Sequence, residues 1–302
     1  MPSSSSKNLF LGVFEALIAV FIFSLTMPTM HLALRHFDAT VVGIGRMVIA
    51  AIPSFIMLMV IGFPRLQFRQ ILSLIVIVGC LVFGFSWLIA LALREVSSHH
   101  AGIVIGGIPL ATAFFATLRS GQRQSPLFWI AAFLGSTIVV AYGLVKAGGH
   151  FTSADLLLLL AAFVCGLAYA EASRLGQAIG TRAITCLIPV TAAPLAIYFC
   201  MGKMPSDLGA IPLSSWLALL YNGLFSTFIG FFFWYRGLAI GGIARIGQIQ
   251  LLQPFFTLAA SALMLGETLT LLDWFTAVGV VACVAATQTV SRRAEGPTEY
   301  LE

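Results

Sequence analysis

Residues 101–118 read AGIVIGGIPLATAFFATL, and residues 246–263 read IGQIQLLQPFFTLAASAL. The segments lie 145 positions apart. At that shift Gly102 meets Gly247, Pro109 meets Pro254, Gly121 meets Gly266 and Trp129 meets Trp274. Each segment is an apolar run of helical length with a small residue ahead of a proline. Proline removes a backbone N–H donor and presses its ring against the preceding turn. Inside hydrocarbon the freed carbonyl is tolerated only where it meets protein or a water-filled cavity. Two such breaks at matching positions predict helix kinks at Pro109 and Pro254 around a central cavity. Gly102, Gly106 and Gly247 are the small hinge residues beside them.

The rest of the chain establishes that hydrocarbon is the solvent. Of 302 residues, 60% are hydrophobic and only 9% charged, with 16 Lys+Arg and 11 Asp+Glu. A soluble domain of this length carries roughly 75 charges. That deficit excludes a soluble enzyme and a disordered chain. Basic residues never run longer than the pair Arg292-Arg293, which excludes nucleic acid as a partner. Polar punctuation divides the chain into ten apolar stretches near 8–31, 39–62, 69–93, 98–119, 126–146, 153–174, 181–201, 212–235, 242–264 and 272–291. A bilayer crossing needs about 20 apolar residues. The expected fold is therefore an all-α polytopic membrane protein of ten transmembrane helices. The 145-residue repeat groups them into two five-helix units, 8–147 and 152–291, flanked by a disordered start (1–7) and a polar tail (292–302). An odd number of helices per unit inverts the second copy relative to the first, the arrangement of many secondary transporters.

Lys and Arg fix the expected orientation. With the N-terminus cytoplasmic, eleven of them, from Lys7 to Arg293, fall on the inner side. Four (Arg35, Arg94, Lys146 and Lys203) fall outside, and Arg46 lies within a span. Six acids, Asp38, Glu95, Asp155, Asp207, Glu267 and Asp273, fall on the outer side, as do all five histidines. Both termini are expected in the cytoplasm.

The repeat resembles the drug/metabolite transporter superfamily in its ten-helix form, built from two EamA-type units. The resemblance rests on Leu91-Ala92-Leu93 through Pro109, and on Gly237-Leu238-Ala239 through Pro254-Phe255 to Leu265-Gly266-Glu267. The first half departs from the pattern with Gly121-Gln122 where Gly-Glu is usual. Gly62-Phe63-Pro64-Arg65 and His99-His100 make the chain similar to the bacterial aromatic amino-acid exporters. That resemblance implies export of aromatic and other neutral amino acids across the inner membrane by alternating access. A multidrug or lipophilic-metabolite exporter on the same fold is the alternative, and a nucleotide-sugar transporter a more remote one.

An amino-acid site needs apolar walls, donors for a carboxylate and acceptors for an ammonium. Trp87 and Tyr169 carry an aromatic body and a polar tip. Gln250 and Gln253 flank the second proline, and a primary amide both donates and accepts. Ser24, with Thr26 nearby, and Asn222 are further polar groups within spans. These six (Trp87, Tyr169, Gln250, Gln253, Ser24 and Asn222) are the expected substrate-binding residues. Glu15 is an ionisable residue inside the first span and the expected proton-coupling group. Arg46 is expected to pair with Asp38 or a helix terminus rather than bind substrate. No nucleotide-binding loop, metal cluster or catalytic constellation is visible. No cofactor, metal or enzymatic activity is expected, and a monomer is the expected functional unit, with a small-molecule substrate and the bilayer as its partners.

Overall fold

The computed structural model describes residues 4–120, 126–146, 152–241 and 247–295. Gly121, Gln122 and His150 lie outside the described residues, as does the side chain of Pro109. Among the described residues there are helices and short connections, and no strand. We label the helices α1 (Ser4–Ser24 continued by Thr26–Leu34), α2 (Val41–Gly45 into Arg46–Ile61), α3 (Phe68–Val78, Gly79–Ser86 and Trp87–Ala92), α4 (Ser98–Ile105 and Ile108–Ser120) and α5 (Pro126–Lys146). They are followed by α6 (Ser153–Ile179), α7 (Thr181–Cys200), α8 (Leu213–Leu220, Tyr221–Gly230 and Phe231–Gly241), α9 (Gly247–Leu252 and Gln253–Leu265) and α10 (Leu271–Glu295). Six helical stretches are long and apolar enough to cross a membrane, and shorter apolar helices accompany them. Helix α1 already begins at Ser4, and α10 continues through Arg292-Arg293 to Glu295.

The helix faces are arranged for lipid. Ile52, Phe55, Ile56 and Met59 on α2 are exposed at the spacing of one helix face. Phe10, Phe14, Leu17 and Phe21 form a matching exposed stripe on α1. The opposite face of α1 buries Ala16, Ala19 and Val20 completely. Along this stretch of α1 small residues face the bundle and large apolar ones face outward, as expected where the outer solvent is hydrocarbon and close helix approach drives packing.

Both halves break their fourth helix at the same place. In α4 the break falls at Gly106-Gly107, and the second segment starts at Ile108 with Pro109 as its second residue. In α9 a 3₁₀ stretch over Gly247–Leu252 gives way to Gln253–Leu265, with Pro254 likewise second. The prolines open new helical segments rather than bending continuous ones. A first-turn N–H has no intrahelical partner, so its loss there is harmless. A second shared feature is the π-helical stretch in α3 (Gly79–Ser86) and α8 (Tyr221–Gly230). Ser86 Oγ donates to Leu81 O at 2.9 Å and Thr227 Oγ1 to Asn222 O at 2.7 Å, each bonding five residues back within the wide turn.

The two broken helices meet each other. A Cβ on Gly102 would lie 2.6 Å from Thr257 Cγ2, and one on Gly106 would lie 3.1 Å from Pro254 Cγ. Only glycine permits this approach of α4 to α9.

Glu267 ties the second half to the first at the end where α4 begins. Gly266, at φ 68°, turns the chain out of α9 in the left-handed region. Glu267 then reaches the start of α4, 169 residues earlier in sequence, where Oε1 accepts from Ser98 N at 2.9 Å and Oε2 from His99 N at 3.1 Å. Oε2 also lies 2.8 Å from His99 Nδ1. The carboxylate satisfies free first-turn donors of α4. Neighbouring contacts extend the lock. Asp155, which caps α6 with Thr152, lies 2.8 Å from His100 Nε2. Tyr142 Oη of α5 donates to Asp273 Oδ1 of α10 at 2.8 Å. The Gly266-Glu267 pair of the second half thus supplies the cap for α4.

Two consequences are measurable in detergent-solubilised protein. Gly102→Ala should cost about 1–3 kcal/mol of stability by overpacking, and Thr257→Ser, which deletes the opposing methyl, should recover most of it. Additive losses in thermal melting would show that the helices do not touch there. Burial opposes the Glu267 charge, but the bonds from His99 and from the Ser98 and His99 backbone outweigh it and hold the carboxyl below its ordinary range. A lowered carboxyl stabilises the fold fully above its ordinary pKa, and that gain is lost as pH falls through the lowered value. Glu267→Gln should lower stability by about 1–3 kcal/mol at pH ~7, with the gap to wild type closing on acidification. A gap independent of pH would mean that the charge is not what matters.

Candidate functional site

Behind the α4–α9 contact lies a hollow lined by α1 (Phe23, Thr26, Met27), α2 (Arg46), α3 (Phe85) and α4 (Gly102, Ile105, Gly106, Ile108), together with α6 (Tyr169), α8 (Ser226, Phe231) and α9 (Gln250, Gln253, Pro254). Counted to its open edge, with the open solvent in its mouth included, it is about 600 Å³. Its walls are built by the breaks. The α4 break sets Gly106 in the wall between Ile105 and Ile108, and the α9 break sets Gln253 and Pro254 opposite. Four aromatic rings, Phe23, Phe85, Tyr169 and Phe231, supply apolar surface. Phe23 packs on Phe231 with centroids 5.0 Å apart, and Tyr169 meets Phe231 edge-on at 6.3 Å. Thr26 Oγ1 and Ser226 Oγ share a hydrogen bond of 2.8 Å across α1 and α8.

Arg46 is the one strongly basic group in this lining. The π turn Val41–Gly45 runs directly into it. A Cβ on Gly43 would lie 2.8 Å from Ser86 O, so α2 and α3 nearly touch. That approach puts Arg46 Nη2 2.6 Å from Ser86 Oγ. The residue is only 5% exposed, and its Nε is buried without a hydrogen-bond partner. Asp38, one of the two partners expected from sequence, instead accepts from Thr40 N at 2.8 Å. A second hollow of about 360 Å³ adjoins the first, and Arg46, Phe85 and Phe231 line both.

The structure brings together Tyr169, Gln250, Gln253, Gly102, Gly106 and Pro254 from the residues singled out in the sequence. Ser24, Asn222 and Trp87 do not line the described hollow. Ser24 Oγ donates to Val20 O at 2.7 Å, a bond back along its own helix. Asn222 is fully buried and donates to Thr29 Oγ1 at 3.0 Å and Ala218 O at 2.9 Å, fastening α8 to α1. The Trp87 ring leans on Phe199, and its Nε1 is buried without a partner. Gly247 starts the 3₁₀ stretch of α9. Glu15 is 3% exposed, with Oε1 3.2 Å from Arg236 Nε, a bridge from α1 to α8. Ser226 and Arg46 were missed. Ser226 carries no signal in sequence, whereas an arginine alone inside a span is itself a functional flag.

Comparison with known proteins agrees with this architecture. The model of the EamA-like transporter family matches twice, over residues 10–142 and 152–289. The chain is 39% identical over 275 residues to the uncharacterized transporter YdeK of Bacillus subtilis (strain 168), covering 91% of this chain and 96% of that protein. It is 24% identical over 248 residues to the uncharacterized transporter YyaM of the same organism, covering 77% and 81%. One solved crystal structure aligns over 96% of this chain and 99% of its own with a TM-score of 0.62, at 20% identity, a likeness of fold alone. With two EamA units filling nearly its whole length around a central hollow, the chain belongs to the EamA-like transporter family of the drug/metabolite transporter superfamily, as a multi-pass membrane transporter.

Proposed function

We propose that the chain exports aromatic and other neutral amino acids across the plasma membrane by alternating access, as a monomer with both termini in the cytoplasm. The observation that carries this reading is the composition of the central hollow. Four aromatic residues surround a small set of uncharged polar ones: Thr26, Ser226, Gln250 and Gln253. Such walls suit an aromatic side chain and its polar backbone end. The broken helices α4 and α9 are the moving parts. Their segments meet at Gly106 and Pro254, where a helix loses its continuous hydrogen-bond ladder and changes direction at least cost. A lipophilic cation is the poorer substrate, because Arg46 sets like charge against it in a low-dielectric site.

Glu15 is the proposed coupling group. It is buried, one oxygen is paired with Arg236, and the other, Oε2, has no partner. It is an ionisable group inside a span with one open oxygen, which is the ground for giving it the coupling role.

In proteoliposomes, labelled phenylalanine should show saturable flux that excess unlabelled tryptophan suppresses. Flux equal to that of empty liposomes would refute the substrate assignment. Glu15→Gln should abolish the response to an imposed pH gradient while leaving phenylalanine–phenylalanine exchange within about threefold of wild type, since exchange needs no net proton movement. An intact pH response in that variant would remove Glu15 from the coupling step.

A further inference from the structure

We infer that Arg46 is the anchor for a carboxylate, and that the central hollow recognises amphipathic organic monocarboxylates whether or not they carry an ammonium group. The inference rests on reading this hollow as the substrate site and names the chemical group that decides binding there.

The geometry around the guanidinium is unbalanced. Arg46 is 95% buried by its 5% exposure, and it faces two adjoining hollows. Its hydrogen-bond partner is the neutral hydroxyl of Ser86. The Tyr169 hydroxyl lines the same hollow and is an uncharged group. No carboxylate lines either hollow among the described residues. Elsewhere in the described bundle, the other buried charges are matched: Glu15 with Arg236, Glu171 with Arg174, Asp155 with His100. A guanidinium removed from water with one N–H unbonded is costly until an anion arrives. Carboxylate is the anion whose planar pair of oxygens matches adjacent guanidinium N–H groups.

The aromatic walls then set the rest of the ligand. Phe85 and Phe231 line both hollows beside Arg46, so an aryl or alkyl chain attached to the carboxylate lies among rings. An ammonium group finds only hydroxyl and amide acceptors (Thr26, Ser226, Gln250 and Gln253) and no opposite charge. Removing the ammonium therefore sacrifices little, whereas removing the carboxylate sacrifices the one charge-assisted contact.

The test compares four probes of one skeleton on the purified full-length chain in detergent at pH ~7: phenylalanine, 3-phenylpropanoate, 3-phenylpropan-1-amine and 3-phenylpropan-1-ol. Binding is read by thermal stabilisation. The acid should bind at least tenfold more tightly than the amine or the alcohol. Arg46→Gln should erase that preference, Arg46→Lys should keep part of it, and Ser86→Ala should keep most. Equal binding of acid and alcohol, no binding of the acid, or a preference that survives Arg46→Gln would each overturn the inference. The comparison on the wild-type chain decides the matter even if Arg46→Gln does not fold. Acid binding without phenylalanine flux would overturn the amino-acid reading and support the anchor. Phenylalanine flux without a preference for the acid would do the reverse.

Discussion

The structure depends on a contact that only glycine allows. Helices α4 and α9 press together at Gly102 against Thr257 and at Gly106 against Pro254, and each is broken where they meet. In lipid a broken helix cannot leave its backbone facing hydrocarbon, so the breaks turn inward and the bundle closes around them. The same requirement shapes the π stretches of α3 and α8, where Ser86 and Thr227 hydroxyls take up carbonyls within the wide turns. The hollow is thus a consequence of how the backbone is satisfied. It lies where two inverted units bring their irregular segments together.

Charge is then distributed with economy. At the ends of the bundle, acids and bases fasten helices that are remote in sequence: Glu15 to Arg236, His99 to Glu267, His100 to Asp155. Glu267 also caps the first helical segment of α4, so the loop closing one repeat stabilises the start of the broken helix in the other. Inside, one guanidinium is held by a hydroxyl alone. The outer contacts tie helices together, whereas the buried guanidinium has a hydroxyl beside it and an Nε without a partner.

Much of this was legible in the sequence. The shortage of charge gave the solvent, the 145-residue repeat gave the paired breaks, and the amides beside Pro254 marked one wall of the hollow. The rest was hidden for identifiable reasons. Arg46 follows a π turn, and such a turn leaves no mark in an apolar run; the sequence offered Asp38 or a helix terminus as its partner. Asn222 and Ser24 are polar groups within spans, but each meets a carbonyl or hydroxyl at hand instead of lining the hollow. The Gly266-Glu267 motif was recognisable as a pattern, yet its partners Ser98 and His99 are fixed by the inverted packing of the two halves, which local sequence does not express.

The central claim is that the hollow between the broken helices is the transport cavity. Its most direct test is site-directed labelling of Ser226→Cys, a near-isosteric change in the cavity wall, in a background whose five native cysteines are replaced. A membrane-impermeant thiol reagent is applied to oriented vesicles with and without substrate. The account predicts labelling from an aqueous face and its suppression by phenylalanine or 3-phenylpropanoate. A cysteine that reacts at the same rate whether or not either compound is present, while transport continues, would contradict it.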